Sequence, residues 1–325
     1  MTTPEALSPR GWKSFRWVGR WPHGPGIDLD EPTERYTEAS RARRTARMTP
    51  RDRRVSCALA ASFVAAAATI ALVVPSHRAP GVLTVALLVL AYAVASRVDV
   101  ELGAGSAVPT GLVLIPMFFL LPLGEVPLWV GAGYLLGSLA GYVTRREHPE
   151  RASILLTGCW HAIGPTLVLA AIGEGPPRLV NVPVYLAALG AQLAFDAVSA
   201  VTRDRLVHGV GYRELLGYLS HAYLIDVCLA PIGLSFAIAV VARPAGLLLL
   251  FPLLFLMQTF ARERAARIDQ ALELGAAYRG AGRLAEMYHE LLAAPSLDAT
   301  LERIAAALAD LIPLDGMRIA EASGS

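Results

Sequence analysis

Four polar side chains interrupt long apolar stretches of this sequence, and they are the residues best suited to chemistry: His161, Gln192, Asp196 and Asp226. Holding an ionisable group inside a membrane is costly, and such groups are therefore candidates for function. At a rise of about 1.5 Å per residue, Asp196, Asp226 and His161 lie roughly 9, 10 and 14 Å from the cytosolic ends of their apolar segments. Gln192 lies one helical turn from Asp196 on the same face. We therefore predict one polar layer, with His221 near its water-exposed border.

This layer predicts a polar cavity in which Asp196, Asp226 and His161 bind a ligand, a proton or a metal ion. A structural role is the alternative, because an Asp that is hydrogen-bonded to the next helix commonly holds membrane helices together. The partners available for such bonds are Ser199, Tyr185 and Tyr223. The candidates lack the spacing that marks a metal site, so we predict no metal site and identify no cofactor.

A second irregular stretch lies between two apolar segments and contains Asp99, Glu101, Gly103, Gly105 and Pro109. Such residues are tolerated at membrane depth only where they line a cavity or are buried in protein, and in transporters they mark binding sites. The alternative is an ordinary cytosolic loop followed by a kinked helix. We favour the loop.

The composition of the chain predicts the helices that position these residues. Hydrophobic residues make up 54% of the chain and charged residues 17%, which excludes an ordinary soluble domain and predicts an all-α, polytopic helical membrane protein. A bilayer core requires about 20 apolar residues per helix, and eight stretches qualify. They are residues 55–74, 81–97, 106–123, 126–143, 152–172, 182–202, 219–242 and 244–260.

Arginine placement indicates the orientation, since short cytoplasmic loops favour positive residues. Eight spans with both termini in the cytosol put the arginines of residues 41–54, 145–151, 203–213 and 262–267 inside. The outer loops keep Arg78, Arg178 and Arg243. Seven spans would separate the C-terminal end from the arginine-rich tail, so an even number is favoured. The basic residues follow topology and form no nucleic-acid-binding face. The predicted partner is the lipid bilayer of the bacterial cytoplasmic membrane.

Two segments flank the predicted transmembrane sensor domain 55–260. Residues 1–50 lack a sustained apolar period, so we predict a disordered cytosolic tail. Residues 261–295 form a predicted cytosolic signalling helix whose apolar positions repeat with the spacing of a parallel two-stranded coiled coil. Glycines in this helix weaken the seam, so a homodimer and a single packed helix both stay open. The seam positions are Leu274, Tyr278, Ala281, Ala285, Tyr288 and Leu292.

The last segment, residues 296–325, has the pattern of one amphipathic helix followed by one short strand. Pro295 ends the preceding helix, and Ser296 can cap the next one. The stretch SLDATLERIAAALADLIPLDGMRIAEA resembles the first helix and first strand of a GAF domain in bacterial signalling proteins. The resemblance implies a truncated α/β GAF-like stub without a ligand pocket, and a receptor whose output end lies beyond it.

The membrane region resembles the N-terminal part of actinobacterial proteins that join a multi-span domain to enzymes of cyclic di-GMP turnover. The stretches that carry this resemblance are VELGAGSAVPTGLVLIPMFFLLPL, AQLAFDAVSA, YLIDVCLAPIGL and RERAARIDQALELGAAYRG. It implies a GGDEF diguanylate cyclase as the output of the parent protein, with an HD-GYP phosphodiesterase as the alternative. The sequence contains no GG[DE]EF loop and no histidine-aspartate metal dyad, so we expect no catalytic residue in this chain.

We therefore predict a membrane-embedded sensory input module that responds to an unknown small ligand and signals through its last transmembrane helix. Two other classes stay open. A histidine kinase parent would require a phospho-accepting histidine, and the surroundings of His289 do not support one. A small-solute transporter is favoured by the broken third span and the buried carboxyl groups, although no obvious inverted repeat accompanies them.

Overall fold

A computed structural model of the chain describes residues 47–102, 105–144, 148–209 and 212–292. Within them, contacts divide the chain after Ala266 into a larger unit and a smaller unit. Most of the predicted N-terminal tail lies outside the described residues. The whole GAF-like segment lies outside them as well, and its prediction stays untested.

The described chain is almost entirely helical, and one two-stranded antiparallel hairpin interrupts the helices. The elements are α1 (Pro50–Val73), α2 (Val82–Ala95), β1 (Val100–Leu102), β2 (Gly105–Ala107), α3 (Gly111–Leu120), α4 (Val126–Val143), α5 (Ala152–Gly158), α6 (Ile163–Ile172), α7 (Val182–His208), α8 (Tyr212–Ala242) and α9 (Leu250–Leu292). Short 3-10 turns precede α4 and α9, and the 3-10 turn Cys159–Ala162 joins α5 to α6.

Six helical segments of the described chain are long and apolar enough to cross a bilayer. They are Pro50–Val73, Leu123–Val143, Pro149–Ile172, Leu179–Val207, Ala222–Ala242 and Pro244–Gly275. Large apolar side chains on them face outward, as on a lipid-facing surface; Leu186 is 62% exposed and Phe255 is 73% exposed. The helical, multi-pass character predicted from composition is therefore confirmed at this level. The count of eight spans stays a prediction.

The third predicted span is wrong at its beginning. Residues 106 and 107 belong to strand β2, in which Ser106 is paired with Glu101, and the helix α3 begins only at Gly111. Pro109 disfavours helical backbone at the residue before it, which explains the late start. With 10 residues, α3 is about 15 Å long, half of a bilayer core of about 30 Å.

The core of the larger unit is one cluster of buried side chains to which α1 to α4, α6, α8 and α9 contribute. Phe63, Leu88, Tyr92, Leu114 and Met117 are each at most 1% exposed. Between membrane helices, close packing supplies the attraction that water exclusion supplies in soluble proteins. Gly137 permits such a contact, because a Cβ atom there would lie 2.6 Å from the carbonyl oxygen of Ala93 on α2.

One carboxylate joins three connections at the same end of the bundle. Glu174, just after α6, accepts hydrogen bonds from the Ser76 hydroxyl at 2.5 Å, the His77 amide at 3.0 Å and the Leu123 amide at 3.2 Å. The Arg78 guanidinium lies 4.0 Å from the same carboxylate. We call this set, Ser76, His77, Arg78, Leu123 and Glu174, the Glu174 clasp.

Arg78 extends the clasp to backbone carbonyls. Its Nη1 donates to the carbonyl oxygens of Phe118 at 2.6 Å and Leu121 at 3.1 Å, and its Nη2 donates to Gly175 at 3.1 Å. The last carbonyls of a helix have no partner within it, and Arg78 supplies one at the end of α3. The ends of α1, α3 and α6 therefore lie together.

A second polar cluster ties the opposite end of α1 to α7. Arg203 donates from Nη2 to the Asp52 carboxylate at 2.8 Å and from Nε to the Ser56 hydroxyl at 3.2 Å. Arg53 lies 3.7 Å from Glu150, at the start of the α5 segment. The starts of α1 and α5 therefore lie beside the end of α7.

The Glu174 clasp predicts a specific pH dependence of stability. Burial raises the pKa of Glu174, but the hydrogen bonds of the clasp and the charge of Arg78 outweigh burial and hold the pKa below its ordinary value. A carboxyl group with a lowered pKa stabilises the fold above its unfolded pKa of about 4.3, and this contribution is lost as the pH falls through the folded pKa.

We expect Glu174→Gln to lower the free energy of unfolding by about 1 to 3 kcal/mol at pH 7, since a partly buried charged partner of several hydrogen bonds is lost. The difference from wild type should shrink below about pH 4.3. Denaturant unfolding of the detergent-solubilised protein at several pH values measures both effects. Glu273→Gln, at an exposed position, is the matched control. An equal effect of both substitutions at pH 7 would contradict the role of the clasp.

Candidate functional site

The predicted polar layer surrounds one cavity of about 210 Å³ inside the larger unit. Its lining comes from the segment before α3, from α4, α5, α7 and α8, and from the 3-10 turn between α5 and α6. The lining residues are Val108, Thr110, Tyr134, Gly158, His161, Gln192, Leu193, Asp196, Leu219, Ala222 and Asp226. Four of the five predicted site residues thus reach the same space. The side chain of the fifth, His221, lies outside the described part of the structure.

His161 has a defined hydrogen-bonding state. It lies in the 3-10 turn Cys159–Ala162, its Nδ1 is 2.7 Å from the Gly158 carbonyl oxygen, and its Nε2 is 3.1 Å from the Tyr92 hydroxyl. A carbonyl oxygen can only accept, so Nδ1 carries a proton. In the neutral imidazole Nε2 then accepts from the Tyr92 O–H, and a second proton at Nε2 would reverse that bond.

Two tyrosines form an aromatic wall behind His161. The rings of Tyr92 and Tyr134 meet edge to face with centroids 5.4 Å apart, and Tyr134 meets the His161 ring at 6.3 Å. Such arrangements are favourable for aromatic pairs. Tyr92 is fully buried and His161 is 7% exposed, so the imidazole is a buried part of the cavity lining.

Asp196 has the partner that the structural interpretation required. The Tyr223 hydroxyl on α8 donates to its Oδ2 at 3.0 Å, so this bond joins α7 to α8. Neither of the other two candidate partners is used in this way. Ser199 donates to the Thr157 carbonyl oxygen at 2.8 Å, and the Tyr185 hydroxyl accepts from the Arg178 amide at 2.9 Å.

Asp226 faces the cavity from α8, close enough to Asp196 for the two carboxyl groups to interact electrostatically. Gln192 adds an amide from α7 and is 8% exposed. Two carboxyl groups, one imidazole and one amide therefore line one space of about 210 Å³. Acceptor oxygens dominate this set, and acceptors of that kind suit a proton, a cation or a ligand that donates hydrogen bonds.

The end of the irregular stretch, just before α3, lines the same cavity. Val108 and Thr110, on either side of Pro109, line the cavity. Asp99 precedes the hairpin and does not line the cavity, Gly103 is outside the described residues, and the side-chain surroundings of Glu101 and Gly105 are not described. The sequence presented this stretch and the polar layer as separate candidates, whereas the fold brings them together.

Among the described residues, no three histidine, cysteine or acidic side chains lie close enough together to hold a metal ion. The cavity supplies acceptor oxygens and an imidazole. Comparison with known proteins adds no functional assignment, since no family model, no curated protein and no solved structure matches this chain.

The contact between Tyr92 and His161 is testable without a known ligand. Tyr92→Phe removes the O–H that faces Nε2 and leaves a buried polar atom without that donor. We expect a loss of about 1 to 3 kcal/mol in the free energy of unfolding. Tyr278→Phe, at a position 77% exposed, should change it little. Unfolding in detergent micelles measures both, and equal values for the two variants would contradict the assigned bond.

Proposed function

We propose that this chain is the membrane-embedded sensory input module of a bacterial signal-transduction protein, and that the polar cavity receives the signal. One observation carries the proposal: His161, Gln192, Asp196 and Asp226 come from three separate segments and line one cavity. Burying an ionisable group at such a position is costly. A purely structural role would require one hydrogen-bond partner for each group, and it would not require a shared open space.

The proposed topology has eight traverses with both termini in the cytosol. Alternation through eight spans puts the connections after α1, α3 and α6 on one side, and the Glu174 clasp joins these connections. The same alternation puts the starts of α1 and α5 beside the end of α7, where Arg203 and Asp52 meet. In this topology α2 and α3 are the two short membrane-crossing helices. The hairpin before α3 completes the crossing of α3.

Reporter fusions test this topology. Alkaline phosphatase joined after Arg78, Arg178 or Arg243 should be active, because all three positions are proposed to lie outside the cytosol. A fusion after Gly209 should be inactive and serves as the control. Inactivity after Arg243 alone would mean that the last hairpin does not cross the membrane, and would leave six spans.

Signal transfer is proposed to run from the cavity through α8 to α9. Helix α8 carries Asp226 and Tyr223, so any change of charge or contact at the cavity acts directly on it. The 3-10 turn Pro244–Leu249 follows α8, and α9 extends over Leu250–Leu292. In a marginal coiled coil, small displacements of a helix suffice to change the pairing of seam residues.

The proposed output is a diguanylate cyclase of cyclic di-GMP signalling, reached through a GAF domain. This part rests on the resemblance of the membrane region and of residues 296–325 to such signalling proteins. An HD-GYP phosphodiesterase or a histidine kinase would use the same input. The proposed location is the bacterial cytoplasmic membrane.

A small-solute transporter is the second candidate, and the half-length helix α3 favours it. Val108 and Thr110 lie at the non-helical entry to α3 and line the cavity. Discontinuous helices of this kind form the binding sites of many transporters. A transporter, however, does not need cavity residues to influence the signalling helix.

Disulfide cross-linking separates the two candidates. With the native cysteines replaced by serine, a cysteine at Leu274, which is 60% exposed and lies on the predicted seam, should form a disulfide-linked dimer in membranes. Asp196→Asn and Asp226→Asn each replace one carboxyl group of the cavity by a neutral amide. Each substitution should change the dimer fraction at least twofold. Asp204→Asn makes the same change on α7 outside the cavity and should leave it unaltered.

Equal dimer fractions in all these variants would reject signal transfer from the cavity and favour the transporter. Absence of any dimer would reject the coiled-coil pairing and leave the signalling helix as a single packed helix.

A further inference from the structure

An apolar groove of about 390 Å³ adjoins the polar cavity. Side chains of α3, α6, α7 and α8 line it, together with Leu179 before α7, and almost all of them are apolar. Two lining residues are open to the outside, because Leu186 is 62% exposed and Val227 is 44% exposed. The groove therefore opens sideways, on a surface whose apolar composition suits contact with lipid chains.

The groove and the cavity share Gln192 as a lining residue. On α7, Leu189 faces the groove and Asp196 faces the cavity, with Gln192 between them. On α8 the consecutive residues Asp226 and Val227 face the cavity and the groove respectively. The two spaces are thus neighbours along the same helices, and one buried amide side chain lines both of them.

The groove extends from the carboxyl groups towards the Glu174 clasp. Phe118, whose carbonyl accepts from Arg78, lines the groove. Along α8, Leu234 lines the groove eight residues after Asp226, a distance of about 12 Å at the rise of an α-helix. The groove is within the volume range of small-molecule sites, about 300 to 1,000 Å³. Its apolar lining and its extent along α8 suit a hydrocarbon chain and not a compact polar solute.

The charged groups at the inner end of the groove determine which polar head group a chain-bearing ligand can carry there. Among the described residues, the lining of the cavity includes the carboxyl groups of Asp196 and Asp226 and no arginine. A carboxylate or phosphate head would be repelled by these groups. A cationic head is attracted, favours their ionised forms and donates charge-assisted hydrogen bonds to them.

We propose that the groove and the cavity together bind an amphipathic organic cation, with its apolar chain in the groove and its cationic head at Asp196 and Asp226. This inference rests on the proposed input role of the cavity and specifies the class of molecule that it detects. Such a molecule partitions into the bilayer through its chain and enters through the lateral opening beside Leu186. Gln192 lies where the chain meets the head and can bond to polar atoms there.

Binding of tritium-labelled decylamine to the full chain in phosphatidylcholine nanodiscs tests the inference. We expect saturable binding that butylamine, which has the same head and a short chain, displaces at least tenfold more weakly. Decanol, which has the chain without the charge, should also compete at least tenfold more weakly. Asp226→Asn should weaken decylamine binding at least tenfold.

Tryptophan substitutions provide the matched pair for the groove. Leu186→Trp places a bulky ring at the lateral opening and should weaken decylamine binding at least tenfold. Leu83→Trp makes the same change at an outward-facing leucine that is 72% exposed and does not line the groove, and it should leave binding unchanged. Both positions face outward, so neither substitution requires repacking of the core.

Three outcomes would overturn the inference. Equal affinities for butylamine and decylamine would show that the groove is not used. Decanol binding as tight as decylamine binding, and unaffected by Asp226→Asn, would show a site for apolar chains only. Absence of saturable decylamine binding would reject the ligand class. In each case the cross-linking response to Asp226→Asn decides separately whether the cavity still controls the signalling helix.

Discussion

Away from water, a polar group without a partner inside the protein is costly, and this constraint determines where the helices of this chain can end and break. The Glu174 clasp satisfies backbone groups at three connections, and Arg78 covers the last carbonyls of α3. The break between α5 and α6 is satisfied in the same way, since the imidazole of His161 donates to the Gly158 carbonyl. These irregular points in the bundle are each tied to a specific polar side chain.

The short helix α3 links this constraint to the site. Its non-helical entry lines the polar cavity, and its other end is held by Arg78. Helix α3 also packs closely on α8, because a Cβ atom at Gly233 would lie 3.0 Å from the Gly111 carbonyl oxygen. The cavity is therefore built between a fixed half-length helix and the helix that carries Asp226. In the proposed mechanism, α8 is the element that moves relative to this support.

The polar and apolar spaces divide the site according to depth. Acceptor groups gather in one half of the bundle, and the groove beyond Gln192 is apolar towards the clasp. This division matches an amphipathic molecule that is already oriented by the bilayer. It also gives Asp196 and Asp226 a role that a single hydrogen bond to Tyr223 does not explain, because Asp226 faces open space next to a groove large enough for a chain.

The sequence by itself determined the helical, multi-pass class and predicted a shared layer for His161, Gln192, Asp196 and Asp226, because runs of apolar residues and a constant helical rise are local properties. Tertiary structure decided the rest. No sequence pattern around Tyr92 and Tyr134 marks them as site residues within their apolar segments. Their role depends on which helix faces them. The choice of Tyr223 over Ser199 as the partner of Asp196 depends on helix separation and rotation. The hairpin before α3 and the groove beside Gln192 arise from contacts between segments distant in the chain, which no local pattern specifies.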